Sequence, residues 1–235
     1  MKVEIWSDVV CPWCYIGKRR FEAALAQFAH RDAVEVVWRS FELDPNAERQ
    51  FAGTLDELLA RKMGGGRERA AAANARVAAL AAEVGLEYHL DRARPGNTFD
   101  AHRLIHLAAK HDLQGAMKER LMQAYFTEGL PVGDVDTLVA LGAEVGLDVE
   151  EARAVLAGDT YAEEVRADEE LAGAYGISGV PFYVVGERYG VSGAQPTEVF
   201  SQALAAAWAA AQPLTLVGNA GAKGADACEG DSCAI

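Results

Sequence analysis

The residues best suited to chemistry are four cysteines in two close pairs, Cys11 with Cys14 and Cys228 with Cys233. A Cys-x-x-Cys spacing serves either a redox dithiol or half of a zinc site. Local context separates the two. Residues 2–7, Lys-Val-Glu-Ile-Trp-Ser, alternate with β-formers at Val3 and Ile5 and read as a strand. From Cys14 to about His30 the apolar residues Tyr15, Phe21, Leu25 and Phe28 recur near helical spacing. Cys11 therefore stands where a strand ends and a helix begins, with Pro12 in the first turn. Backbone N–H groups at a helix start point outward and the helix dipole favours negative charge, so a thiolate there is stabilised. Cys11 is expected to be the more exposed, attacking sulfur. Cys14, one turn later and facing inward, is expected to resolve the mixed disulfide. The context favours redox over metal binding.

Composition bounds what these sulfurs can serve. The chain has 235 residues, 51% apolar and 24% charged, enough for one large domain or two small ones around a sizeable core. Its formal net charge of −13 disfavours nucleic acid and anionic membrane surfaces as partners. No apolar run approaches the ~18 residues of a membrane span. Glu4 and Asp8 interrupt the apolar start, so no signal-peptide core is expected and the expected compartment is the cytoplasm. In that reducing setting, paired cysteines are more often catalytic, redox-sensing or metal-binding than structural.

The elements that must position the pair follow. Residues 34–41, Val-Glu-Val-Val-Trp-Arg-Ser-Phe, read as a second strand closed by Asp44-Pro45-Asn46. Strand, helix, strand normally builds a parallel pair with a right-handed crossover. From Thr54 to about Gly176 the pattern is helical, broken at 63–66, 94–97 and 130–133. Residues 80–86 and 141–147 nearly match, and each reads as a helix end with glycine at a left-handed cap. Strand character returns at 180–185 and 188–192 with Gly186 near the turn, and a last helix runs from about Pro196 to Ala211. Pro181 removes a ladder donor, which suits a strand entrance, and base rates favour a trans Val180–Pro181 bond. The expected architecture is an α/β domain formed by residues 1–50 and 160–212, a helical insertion at 51–159, and a Gly-, Ala- and acid-rich flexible tail at 213–235.

Together, the strand-CPWC-helix opening, the helical insertion and the late Gly179-Val180-Pro181 resemble the DsbA-like thioredoxin-fold oxidoreductases. Cys11-Pro-Trp-Cys-Tyr-Ile-Gly17 and Asn97-Thr-Phe-Asp-Ala-His-Arg103 resemble the cytoplasmic FrnE branch in particular. The similarity covers nearly the whole chain. It implies a thioredoxin fold with an inserted helical domain, Cys11 as attacking thiolate, Cys14 as resolving thiol and a cis Pro181 beside them. It also implies that Val180 offers its backbone to an extended substrate, with Pro12 and Trp13 beside the sulfurs. Asn97, Thr98 and His102 would line the groove facing the pair.

Other constellations carry weaker readings. A flexible segment of about 16 residues spans roughly 20–24 Å, enough for the Cys228–Cys233 pair to reach Cys11 and exchange with it. An independent disulfide, inert thiols or metal binding are the alternatives. His102 and His106 have zinc-compatible spacing, but no third ligand is evident and a polar helix face is the better reading. Lys18, Arg19 and Arg20 read as a solvated helix face. Leu121, Met122, Tyr125 and Phe126 read as core. The Gly64–Gly66 run lacks the ending of a phosphate loop and reads as a helix connection.

The function expected is thiol–disulfide exchange on protein or small-molecule disulfides, as reductase, isomerase or oxidase. No organic cofactor is required, and glutathione or a thioredoxin system is the expected electron partner. Two rivals stand beside it. One is a glutathione-dependent transferase or isomerase of the kappa or hydroxychromene-carboxylate isomerase type, against which the intact CPWC counts. The other is a non-enzymatic zinc site built from all four cysteines.

Overall fold

A computed structural model describes residues 1–211. Four strands form one sheet among these residues: β1 (Lys2–Ser7), β2 (Glu35–Ser40), β3 (Phe182–Val185) and β4 (Tyr189–Ser192), in the order β2-β1-β3-β4. β1 and β2 pair in parallel from Lys2 opposite Glu35 to Ser7 opposite Ser40. β3 runs antiparallel to both β1 and β4. Nearly every side chain of the central strand β1 is buried, as a strand covered on both faces requires. The parallel pair is the one expected from the strand–helix–strand opening.

Its crossover is α1 (Pro12–Gln27), and the chain's last helix, α9 (Thr197–Ala211), packs beside it. Phe21 of α1 meets Tyr183 of β3 and Phe200 of α9, with ring centroids 5.6 and 5.8 Å away. Between β2 and β3 lie α2 (Leu55–Met63), α3 (Gly66–Ala82), α4 (Phe99–Lys110), α5 (Gln114–Gln123), α6 (Val135–Glu144), α7 (Val149–Ala157) and α8 (Ala162–Ala174). A five-residue π-helical turn, Ala124–Glu128, continues α5. This is the thioredoxin-type α/β fold carrying helices between its second and third strands. One continuous apolar core joins sheet and helices, from Val3 and Ile5 through Leu104 and Leu121 to Leu138.

Local chemistry explains several boundaries. Thr54 starts α2 with a reciprocal capping box to Glu57, and Asp134 and Asp148 cap α6 and α7 through side-chain oxygens. Gly85 and Gly146 hold φ of 78° and 103° at the two matching helix ends, and the following leucine N–H reaches back to Ala81 and Gly142. The similarity of 80–86 and 141–147 is thus a shared way of ending a helix.

Two expectations about helix faces fail. α4 does not present His102 and His106 on a polar face: Asp100, Ala101, His102, Arg103, Leu104, Ile105, Leu107 and Ala108 are all buried. The cause is position, because α5, α6, α7 and α8 all pack around α4. Lys18, Arg19 and Arg20 are not a solvated face either. Lys18 is buried and ion-paired with Glu22 and with Glu119 of α5, Arg19 pairs with the same two carboxylates, and Arg20 donates to the Ala194 carbonyl. These cations join α1 to its neighbours.

Candidate active site

Cys11 is the N-cap of α1 and Pro12 its first residue, so the dithiol sits at the helix start with no side-chain oxygen competing for the free amides. The Cys11 N–H donates to the Asp8 carbonyl at 3.3 Å and the Cys14 N–H to the Cys11 carbonyl at 3.0 Å, closing two successive turns between β1 and α1. From the helical layer, the Tyr88 hydroxyl donates to the Pro12 carbonyl at 2.8 Å. Tyr88 stacks between Tyr15 and Phe126, with centroids 6.1 and 4.6 Å away. The turn is therefore held from both sides. Trp13 is 41% exposed and is the large apolar surface beside the sulfurs.

Both cysteines are free thiols and both are buried, Cys11 at 3% exposure and Cys14 at 1%. The expected contrast between an exposed and an inward-facing sulfur is therefore small. The Val180 carbonyl lies over Cys11, and the Val180–Pro181 peptide is cis. The Cys11 thiol donates to that carbonyl at 3.6 Å. Base rates for X–Pro bonds gave trans; this bond is the exception, as the family resemblance implied. Gly17 permits the close packing behind it. A Cβ built there would stand 2.6 Å from the Tyr183 hydroxyl and 3.1 Å from Cγ of Pro181.

Burial pushes the Cys14 thiol well above its usual range, and the neighbouring Cys11 sulfur adds to the rise; the Lys118 charge and the Asp8 backbone pull the other way. Lys118 is a residue the sequence reading missed. It is fully buried, its Nζ donates to the Ser7 carbonyl at 2.9 Å, and it lies 5.8 Å over the Trp38 ring. Burial drives its pKa down to about 8, opposed by the charges of Cys14, Asp8 and Cys11. Its spacing from Leu121, Met122 and Tyr125 placed a lysine on a core-facing stripe of α5, which was the available signal.

Asp8 is equally buried, and its Oδ2 accepts from the Leu43 N–H at 2.8 Å. Burial pushes its pKa up, but His102, the Leu43 amide and Lys118 outweigh burial and hold it below the usual carboxylate value. His102 Nε2 stands 3.5 Å from Asp8 Oδ1. A carboxylate at the end of an apolar strand, three residues before a Cys-x-x-Cys, was visible in the sequence as an oddity.

The structure thus brings Cys11, Cys14, Pro12, Trp13, Val180 and Pro181 together, with His102 behind them through Asp8. Asn97 does different work: its Oδ1 accepts from the Phe99 N–H at 2.9 Å and its Nδ2 donates to Glu42 at 3.2 Å, fixing the entry to α4. Thr98 is buried at the same entry. Cys228 and Cys233 lie outside the described residues. Among the described residues, no cluster of three or more His, Cys, Asp or Glu side chains is arranged to hold a metal.

Comparison with known proteins decides the family. The family model of the DSBA-like thioredoxin domain matches residues 2–205. The chain belongs to the DsbA-like thioredoxin-domain family. It is 30% identical over 206 residues to the uncharacterized protein YwbO of Bacillus subtilis, covering 86% of this chain and 94% of that one. Among solved structures it is similar to a probable DsbA oxidoreductase of Streptomyces coelicolor, with 48% identity, a TM-score of 0.87 and coverage of 100% and 99% of the two chains. It shares its fold with the cytosolic disulfide reductase DsbM of Pseudomonas aeruginosa, at 18% identity, a TM-score of 0.63 and coverage of 90% and 100%. The family is that of the DsbA-like oxidoreductases.

Proposed function

We propose that the chain is a cytoplasmic, FrnE-type thiol–disulfide oxidoreductase whose reactive couple is Cys11 and Cys14. The observation that carries this reading is a free dithiol at a helix start, with the Val180 carbonyl 3.6 Å from Cys11. As a reductase, Cys11 as its thiolate attacks one sulfur of a substrate disulfide. A Cys11–substrate bond forms and the other substrate sulfur leaves as a thiolate. Cys14 then loses its proton and attacks the Cys11 sulfur, which releases the second substrate thiolate and leaves a Cys11–Cys14 disulfide. Two electrons pass to the substrate, and the reverse sequence oxidises a dithiol. Val180 and Pro181 form the edge along which an extended substrate segment would lie, with Trp13 as its apolar neighbour.

The surrounding compartment selects the direction. DsbM, which has this fold, is named as a cytosolic disulfide reductase and has a structure with GSH. A glutathione pool or a thioredoxin system is accordingly the electron partner we assign, with no bound organic cofactor. The terminal pair, Cys228 and Cys233, is read as a second dithiol that exchanges with Cys11 and Cys14. It would pass reducing equivalents to the buried couple without a bulky partner having to reach it.

The test is trapping. Cys14→Ser, incubated with oxidised insulin, is expected to accumulate a mixed disulfide on Cys11 that Cys11→Ser cannot form. Equal adduct yields in both variants would reject the assignment. Unchanged reoxidation and reduction kinetics of Cys11 and Cys14 in a Cys228→Ser, Cys233→Ser variant would reject the relay.

A further inference from the structure

The inserted helices place a charge beside the dithiol that the fold itself does not need. Lys118 lies on α5 with Met117, Leu121 and Met122, all of them fully buried. An unbranched apolar side chain of similar length would fill the position without burying a charge. The ammonium carries three N–H donors and makes one hydrogen bond, 2.9 Å to the Ser7 carbonyl. Among the described residues no carboxylate pairs with it, and Asp8, the nearest buried acid in sequence to Ser7, stands against His102 instead. Lys18 shows the contrast. Both ammoniums lie over the Trp38 ring, at 5.9 and 5.8 Å, but Lys18 is neutralised by Glu22 and Glu119. A buried charge without a counter-ion is expensive, and Lys118 is held in that state.

Its surroundings say which charge it meets. The groups facing it are Cys14 and Cys11 at the start of α1, Asp8 just after β1 and Lys18 of α1, with His102 of α4 behind Asp8. Of these, Cys14 interacts with it most strongly. One peptide unit also links the two. Lys118 holds the Ser7 carbonyl oxygen, and the backbone of Asp8, on the other side of that peptide, favours the Cys14 thiolate. A cation at the oxygen polarises the peptide and strengthens its N–H as a donor. Cys14 at rest is a buried thiol, so the negative charge that answers Lys118 exists only while Cys14 is ionised. A fixed charge aimed at the place where charge develops in a reaction stabilises that step and not the ground state.

We infer that Lys118 is a positioning residue for the resolving half of the exchange, supplied by the helical layer to hold Cys14 as the thiolate that attacks Cys11. In that step Cys14 gives up its proton, its sulfur bonds to the Cys11 sulfur, and the Cys11–substrate bond breaks. The departing substrate sulfur takes the electron pair of that bond and ends with the proton, while Lys118 keeps its own. This role rests on the reading of Cys11 and Cys14 as the reactive couple.

The experiment uses the full chain with Cys228→Ser and Cys233→Ser, so that only Cys11 and Cys14 react. Stopped-flow reaction with dithiobis(nitrobenzoate) follows two releases of thionitrobenzoate. The first comes as Cys11 attacks the reagent, the second as Cys14 displaces the group left on Cys11. At saturating reagent the second release runs at the resolving rate. Two variants are compared: Lys118→Met, and Lys118→Gln, which keeps a donor for the Ser7 carbonyl without the charge. Both are expected to slow the second release at pH 7 by at least about threefold relative to the first. That is what a Cys14 pKa higher by one gives, with about tenfold less thiolate that is about threefold more nucleophilic. At pH 9.5, above the Lys118 pKa of about 8, the ammonium is lost without mutation and the difference is expected to disappear. A second release unchanged in both variants would overturn the role. So would a loss confined to Lys118→Met, which would assign the effect to the Ser7 hydrogen bond. Equal slowing of both releases, or a deficit that persists at pH 9.5, would overturn it in favour of a purely structural lysine. Failure of the Lys118-containing chain to end as a Cys11–Cys14 disulfide would reject the reactive couple itself, and this role with it.

Discussion

Lys118 offers the sharpest quantitative test, because a fully buried ammonium leaves a signature in how stability depends on pH. Its pKa of about 8 lies below the ordinary 10.5. The folded state therefore binds fewer protons than the unfolded state between pH 8 and 10.5. Stability must rise with pH across that window, the penalty for burying the charge being present in full below pH 8. The full shift corresponds to about 3 kcal/mol at 1.36 kcal/mol per pH unit. Integrated from pH 7 to pH 10, most of that gain, about 2–3 kcal/mol, is realised. Lys118→Met removes the titration and leaves a side chain of similar length. Cys14 titrates with the opposite sign, since its raised pKa means that stability is lost as pH rises above the unfolded thiol value. The measurement is therefore made in the Cys11→Ser, Cys14→Ser background, where neither thiol contributes. Removing the two sulfurs, which favour the Lys118 ammonium, leaves the direction of its shift unchanged. Urea unfolding at pH 7 and pH 10 should show the Lys118-containing protein gaining about 2–3 kcal/mol relative to Lys118→Met. Parallel pH profiles for the two proteins would refute the reasoning, because Lys118 would then carry an ordinary, solvated charge.

Three further outcomes follow from the site. Gly17→Ala should destabilise the fold by about 1–2 kcal/mol in thermal unfolding, because its Cβ meets the buried Tyr183 hydroxyl and the Pro181 ring and this overpacking outweighs the gain in helix propensity. Tyr88→Phe removes the 2.8 Å bond to the Pro12 carbonyl and should cost about 1 kcal/mol in urea unfolding; no change would show that the stacked rings alone hold the turn. Asp8 has a lowered pKa, so its contribution is present above the unfolded value near 3.8 and lost as pH falls through the folded value. Asp8→Asn should accordingly flatten the acid limb of stability below about pH 4, and an unchanged acid limb would contradict the buried anion.

What the sequence made legible was local. The start of α1 at Pro12, the parallel β1–β2 pair and the glycine-capped helix ends each depend on a few neighbouring residues. The position of Cys11 at the helix start followed from them. The depth at which Cys11 sits did not, because the Val180 carbonyl that covers it comes from 169 residues away. Lys118 was hidden for the same reason: its partners Ser7 and Asp8 are on the far side of the chain. His102 and His106 read as a polar helix face because nothing within α4 shows that four other helices pack around it. Here Asp8 and Asp168 meet them, at 3.5 and 3.3 Å. Lys18 and Arg19 gained burial from Glu119, which no pattern within α1 announces.

The central claim is that Cys11 and Cys14 form one exchangeable dithiol. Equilibration of the full chain in glutathione buffers of graded potential, followed by thiol trapping and peptide mass spectrometry, tests it directly. The account predicts that the two cysteines titrate together as a single two-electron couple, with the ratio of reduced to oxidised couple changing tenfold per ~30 mV. Cys11 and Cys14 remaining unreactive across the range, with zinc bound at one per chain, would contradict it.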